Sequence, residues 1–302
     1  MSNFNNHVYQ SLVTDIIGDT FYKNTSVSGR ISFVRRYAEV VIRKILDVDS
    51  HEKIMLGQRN LRTQIRDLPD YEFVERAIEN IRNNGNKAIH TEYLEEFSEE
   101  DFKHVVNALF DLFAYLFIRY FEKYEFGSRN DILYSFSMLP PIIRYKVLSF
   151  LYEKNPNNIA IVDKLVLSIM KAFSVEEAEE WIEKSKNILI KMKTVSDSAF
   201  KEMSEKYGIM FAKCIKSEVP ENMYKLCKMK ILKVGGKIKD NGVLYSDFES
   251  ALPYYKEQGI LEGNEEETVE FNDIMEFLYL GRKEKIQETI NESESYMILN
   301  FI

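Results

Sequence analysis

The sequence predicts an all-α fold, and three observations carry that expectation. Its 302 residues include only 12 Gly and 6 Pro, together about 6% and roughly half the usual share. A chain so poor in turn formers runs in long helices with few tight hairpins. Apolar residues recur at spacings of three and four over long stretches, the period of a buried helical stripe. Serines and acids of the kind that open helices stand just ahead of several of these stretches. A hydrophobic share of 45% excludes a disordered chain, and the length fits two domains with ample core material.

The elements follow in order. Ile31, Val34, Tyr37, Ala38, Val41, Ile42, Ile45 and Leu46 form the stripe of a first helix, with Ser28-Gly29 as its cap and Asp47 at its end. Residues 58–68 carry Leu61, Ile65 and Leu68 at the same period and stop before Pro69. Residues 71–90 carry Val74, Ala77, Ile78 and Ile81. A fourth helix starts at the acid-rich Ser98-Glu99-Glu100-Asp101 and runs to about Tyr124. Apolar residues cover most of its circumference, so it needs cover on more than one side. Its most apolar part, 105–121, is interrupted by Asn107, Asp111 and Arg119. That part is also shorter than the ~20 residues of a spanning helix. A buried helix is therefore expected, and no membrane partner.

A break at 126–131 divides the chain into a helical bundle over 1–125 and a helical domain over 126–302. In the second part, helices are expected over 159–173, over 177–192 behind a Ser174 capping box, over 200–215, over 221–234 before Gly235-Gly236, and over 248–258. Val269-Glu270-Phe271 reads as a short strand. A short β-hairpin or winged-helix-like element is accordingly expected near 255–275.

The formal net charge of −8 conceals an uneven distribution. Residues 23–66 hold ten basic residues against four acids, a local net of +6. Residues 184–239 hold fourteen lysines against five acids, a net of +9, and residues 240–302 hold fifteen acids against four bases, a net of −11. Basic stretches can neutralise phosphates, and an acidic tail can pair with basic stretches of its own chain. Cys214 and Cys227 have neither metal-type spacing nor a histidine nearby and read as two buried thiols in a reducing cytoplasm. Met1 to His7 lacks the pattern of a secretory leader. No Walker-type loop, dinucleotide fingerprint or His-Glu-x-x-His is present, so no cofactor and no metal are expected.

One segment breaks the local rules. Arg82-Asn83-Asn84-Gly85-Asn86-Lys87-Ala88-Ile89-His90 places three asparagines and a glycine in a helical pattern, each costing about 0.5–1 kcal/mol against alanine. At ~100° per residue, Arg82, Asn86 and His90 project from one broad face on successive turns. Such violations of local propensity mark functional or special packing sites.

This segment resembles a known family when read with Arg35-Arg36-Tyr37-Ala38-Glu39, with Leu61 to Leu68, and with the acid-led apolar helix at 100–121. About a third of the chain, residues 25–125, is similar to the helical domain found at the N-terminus of many type I restriction-enzyme R subunits and prokaryotic helicases, a HEPN-superfamily-like bundle. The resemblance implies a protein of bacterial conflict with mobile elements, in phage defence or counter-defence, and a metal-independent RNA-targeting effector. By that carry-over His90 is the general acid/base, Arg82 the phosphate clamp and Asn86 a polar positioner. Arg35, Arg36 and Lys87 would contact the phosphates of RNA. Seven residues separate Arg82 from His90, more than in the usual catalytic HEPN motif. The resemblance also implies a homodimer through the N-terminal bundle, and the C-terminal half is expected to take a protein partner.

The residues themselves leave a second reading open. Asn86 and His90 would hydrogen-bond to neighbouring helices, to Glu39 or Arg36, while Gly85 permits close helix contact. In that reading the protein is a non-catalytic dimerisation or protein-interaction module that regulates or inhibits a partner.

Overall fold

The computed structural model describes residues 7–49, 51–89 and 96–285. Among these the chain forms fifteen α-helices and no β-strand; the one isolated β-bridge joins Lys193 to Asn222. The chain divides into two compact units, one gathering the described residues of 1–125 and 252–284, the other those of 126–251 and Lys285. The first unit is therefore discontinuous. Residues 252–284, which the sequence division at 125/126 assigns to the second domain, fold with the first.

The first unit is built on α2 (Val27–Leu46), α4 (Tyr71–Ile89) and α5 (Glu99–Lys123), each packed against the other two. α1 (His7–Ile17), which the sequence periodicity does not single out, continues into a π-helical turn at Gly18–Tyr22 that packs on α2. α3 (Arg59–Arg66) lies on α4. The cap of α2 is Ser26, whose hydroxyl accepts from the Gly29 N–H. Ser28, two residues on, instead donates to the Ala88 carbonyl at 2.9 Å and ties the start of α2 to the end of α4. Ser98 and Asp101 close a reciprocal capping box at the start of α5, as the acid-rich opening anticipates.

The core of this unit joins Ile31, Val34 and Tyr37 of α2, Val74 and Ile81 of α4, and Val105, Leu109, Phe113 and Phe117 of α5, all fully buried. Tyr37 meets Phe113 edge-on at 5.6 Å. Every residue from Leu112 to Ile118 is buried, so α5 needs apolar neighbours all round. Among the described residues α5 is the one helix long and apolar enough to cross a membrane, and 67% of its most apolar stretch is buried inside the structure. α15 (Glu266–Tyr279) supplies part of that cover. Its Phe271 contacts Phe117 at 5.9 Å and Tyr120 at 5.4 Å, and the Tyr120 hydroxyl donates to the Glu267 carbonyl at 3.2 Å.

Charge reinforces this closure. Lys123 reaches Glu266 at 2.8 Å and Glu270 at 2.6 Å, and Lys44 of α2 pairs with Asp273. The acidic tail thus neutralises lysines of its own chain. Val269 and Phe271, read as a short strand, lie inside α15, and no strand exists anywhere in the described part of 255–275. The winged-helix-like expectation is corrected accordingly. Phe271 is the aromatic knob that helix periodicity needs at this position, not one side of a strand. α14 (Phe248–Tyr254) carries the chain from one unit into the other. Pro253 interrupts its hydrogen-bond ladder, and a π-helical turn at Tyr255–Gly259 follows.

The second unit contains α6 (Asn130–Phe136), α7 (Pro141–Lys154), α8 (Ile159–Ala172), α9 (Val175–Lys184), the single turn α10 (Lys186–Leu189), α11 (Asp197–Tyr207), α12 (Ile209–Glu218) and α13 (Met223–Asn241). α8 is its centre and packs on α7, α9 and α13. Asn158, Ser174, Ser196 and Asn222 cap α8, α9, α11 and α13 through their side chains. The break before α6 needs its glycine: Gly127 has φ +100, and a Cβ there would stand 2.6 Å from Ala160. α13 does not stop at Gly235 but runs on to Asn241, because Gly235 admits Val175 of α9 against the helix backbone. Of the two thiols expected to be buried, Cys227 is, with its thiol pushed up to about 12 by that burial, but Cys214 is exposed on α12.

Two buried features of this fold are testable. Phe271→Ala removes the ring that covers α5 and is expected to destabilise the first unit by about 3–5 kcal/mol in chemical denaturation; a loss below about 1 kcal/mol would mean that other groups already cover α5. Lys171 of α8 is desolvated and faces Arg144 and Lys164, which together bring its pKa down to about 7. The unfolded chain restores the amine to about 10.4 and so binds a proton that the folded chain lacks between about pH 7 and pH 10. The contribution of this group to stability therefore rises with pH through that window. Lys171→Met should make the change in Tm between about pH 7 and pH 9 less favourable to high pH than in the wild type; identical pH profiles would exclude the effect.

Candidate nucleic-acid interface on α4 and α5

The residues singled out at the end of α4 do not form one cluster. Arg82 is half-buried, donates to the Asn83 side-chain oxygen at 3.4 Å, and lines a shallow hollow with Leu61, Ile65, Ile78 and Glu79 on the α3 side of the helix. Asn86 turns to α2, where its side-chain oxygen accepts from Nη1 of Arg35. Gly85 lies flush with the stem of the same arginine: a Cβ on residue 85 would stand 2.9 Å from Arg35 Cδ and 3.2 Å from its Cβ. The glycine is required by close approach, and the Arg35–Asn86 contact locks α2 on α4. Arg36 is exposed, with its guanidinium 5.8 Å from the Phe33 ring centroid, and Lys87 is exposed on α4. His90 lies outside the described residues.

The basic stretch at 23–66 is largely consumed inside its own unit. Arg30 pairs with Glu99 and lies 4.4 Å from the Phe102 ring centroid. Arg62 and Arg66 each stand 3.6 Å from a carboxylate of α4, Glu79 and Glu75. Arg43 donates to the carbonyls of Glu52 and Glu39. Glu39 itself is desolvated enough to raise its pKa, against the Leu56 N–H and the charges of Arg35, Arg43 and Arg36 that pull it down. Sequence charge therefore overstates the positive surface offered to a ligand.

A different set of polar side chains converges next to the motif. α4 and α5 enclose a surface groove of about 380 Å³ lined by Phe73, Arg76 and Asn80 from α4 and by His104, Asn107 and Asp111 from α5, with Ala77 and Ala108 at its floor. Ala77 and Ala108 are buried, while Arg76, His104 and Asn107 are exposed. Its volume falls within the roughly 300–1,000 Å³ of small-ligand sites.

Hydrogen bonding orders this set. Asn84 Nδ2 donates to the Asn80 side-chain oxygen at 3.2 Å and to its carbonyl at 3.0 Å. The Asn80 oxygen being engaged, its amide N–H₂ faces His104, with Nδ2 and Nε2 2.9 Å apart. Nε2 is then the acceptor, and the imidazole carries its proton on Nδ1. In this arrangement the histidine offers an N–H to a ligand. Arg76, with its Nε bonded to the Glu72 carbonyl at 3.3 Å, adds an exposed guanidinium at the same rim. Arginine and an imidazole N–H together suit an anionic oxygen, and the Asn107 amide suits the donor and acceptor edge of a base.

Sequence reasoning passes over His104 because it has no companion at useful spacing on its own helix. Its companion, Asn80, is 24 residues away on another helix. One signal was available: His104, Asn107 and Asp111 recur at i, i+3 and i+7, a polar stripe on an otherwise apolar helix.

The Arg35–Asn86 contact can be weighed by a double-mutant cycle. Arg35→Ala and Asn86→Ala are expected to couple by about 1 kcal/mol or more in unfolding free energy; strict additivity would mean that the contact does not hold the helices together. Comparison with protein-family models, with curated proteins and with solved structures finds no match to the chain.

Proposed function

We propose that the first unit is a HEPN-like bundle that binds single-stranded RNA in the α4–α5 groove, and that the protein is an RNA-targeting effector in conflict between bacteria and mobile genetic elements. The observation that supports this reading is the juxtaposition of Arg76 with the ordered Asn80–His104 pair in one groove. Arg76 meets a phosphate, the Nδ1–H of His104 donates to a phosphate or ribose oxygen, and the Asn107 amide reads the edge of an unstacked base. To act as a metal-independent general acid on a phosphodiester, this imidazole would first take a proton on Nε2 and give up its hydrogen bond from Asn80.

A second reading, a non-catalytic dimerisation or protein-interaction module, is favoured by the Arg35–Asn86 contact, which commits the motif's Asn86 and Arg35 of α2 to holding α2 on α4.

One titration separates them. Fluorescence anisotropy of labelled single-stranded RNA, with chelator present, is expected to show binding that Arg76→Ala and His104→Ala each weaken by about tenfold or more, with the salt slope of Arg76→Ala lower by about 1. A gel of the same samples reports cleavage. RNA that the wild type neither binds nor cleaves would leave the interaction module as the reading; binding unchanged in both variants would remove the groove from it.

A further inference from the structure

The two walls of the α4–α5 groove carry the same spacing. Phe73, Arg76, Ala77 and Asn80 stand at i, i+3, i+4 and i+7 of α4, and His104, Asn107, Ala108 and Asp111 at i, i+3, i+4 and i+7 of α5. That spacing puts each set on one helix face. The helices run antiparallel: Asn80 meets His104 Nε2 at 2.9 Å, while Phe73 stacks on Tyr115 with ring centroids 6.4 Å apart and planes 23° apart. The groove therefore has two unlike ends. One holds the Asn80–His104 pair, the other holds the Phe73 ring and the Asp111 carboxylate, and Arg76 and Asn107 stand between. Along α5 these ends lie about 10 Å apart, at ~1.5 Å per residue.

Asp111 is the one carboxylate among the described residues that line the groove. Arg76 and His104 suit a phosphate, and a carboxylate on the same walls repels one. It is favoured there where a ligand turns N–H or O–H donors toward it. Asn107 and Asp111 stand one turn apart on one face, a spacing that puts Cβ atoms about 5–6 Å from each other. That is close to the width of the Watson–Crick edge of a base. An ionised carboxylate accepts through both oxygens and donates nothing, whereas the asparagine amide donates through its N–H₂. Guanine alone among the RNA bases sets two adjacent donors, N1–H and N2–H₂, beside an acceptor, O6. Adenine and cytosine turn a ring-nitrogen acceptor to the carboxylate, and uracil turns O2 to it beside its N3–H. Phe73, half-buried at that end, supplies a ring for a base to stack on.

On the reading that the first unit binds single-stranded RNA in this groove, we propose that the base it takes is an unstacked guanine. Its N1–H and N2–H₂ donate to the Asp111 carboxylate, its O6 accepts from Asn107 Nδ2, and its ring lies against Phe73. Its phosphate meets Arg76 and the Nδ1–H of His104. Asp111 is the residue that sets the specificity, because it is the group that rejects every base turning an acceptor toward it.

Fluorescence anisotropy of short labelled oligouridines carrying one central G, A, C or inosine tests this with the full chain and chelator present. The wild type is expected to bind the G oligonucleotide about tenfold or more tighter than the A, C or unsubstituted one, the order that one bidentate base contact contributes. Inosine keeps N1–H and O6 but lacks the 2-amino group, so it should fall between G and A, a readout that needs no protein variant. Asp111→Asn is expected to bring the G preference to within about twofold, with circular dichroism reporting that the variant is folded. Should it not fold, Asn107→Ala, which removes the donor to O6, is expected to lower the same ratio by about threefold. Equal binding of all the oligonucleotides overturns the guanine assignment and leaves RNA binding in place, whereas no binding to any of them removes both. A G preference that persists in folded Asp111→Asn overturns the assignment to Asp111. So does binding that falls on 2′-deoxy substitution of the central nucleotide with no preference among bases, which would make the ribose hydroxyl the donor to Asp111.

Discussion

A helix buried on every side over seven consecutive residues cannot lie at the surface there, and α5 is such a helix from Leu112 to Ile118. Burying Leu112 through Ile118 on every side takes more neighbours than the first 125 residues supply. α2 and α4 cover two faces. Another is met by α15, more than 140 residues further along the chain, with Phe271 seated against Phe117 and Tyr120. The discontinuity of the first unit, the helical state of 266–279 and the placement of the acidic segment all follow from that requirement.

Electrostatics follows the same route. The arginines and lysines of α2 and α3 that look on paper like a phosphate-binding face are met by Glu99, Glu75, Glu79 and Asp273. Surface ion pairs of this sort contribute little stability each, but they remove the charges from the field a ligand would feel. What is left at the groove is a local arrangement, the Arg76 guanidinium and the Asp111 carboxylate lining it together with an imidazole tied through Asn80 to Asn84. Specificity there depends on geometry more than on net charge.

The legible part of the fold was the part with local causes. The stripes of α2, α3 and α4, the acid-led start of α5 and the Ser174 cap are written in spacing and capping chemistry, and the structure places α2 to α5 where the pattern puts them. The helix behind Ser174, expected to reach 192, ends at Lys184 and is followed by the single turn α10. Non-local features were opaque for a physical reason. Phe271 looks like a strand residue until Phe117 is known to need it, and Gly235-Gly236 looks like a stop until Val175 is known to lean on it. At the candidate site, Gly85 and Asn86 stood out because they violate helix propensity, and the violation traces to Arg35 of α2. His104 did not stand out, since an exposed histidine violates nothing and its partner sits on a different helix.

The return of α15 to the first unit also sets an order of events. On a growing chain residues 126–251, the main part of the second unit, are made before the residues that close the first one. Until then Phe117 and Tyr120 face outward, and Lys44 waits for an aspartate 229 positions away. Loops of that span close slowly relative to local helix formation. The first unit must therefore hold itself together on α1 to α5, or stay open, while residues 126–251 are synthesised. Anything that bound its uncovered α5 face in that interval would compete with the protein's own C-terminal helix.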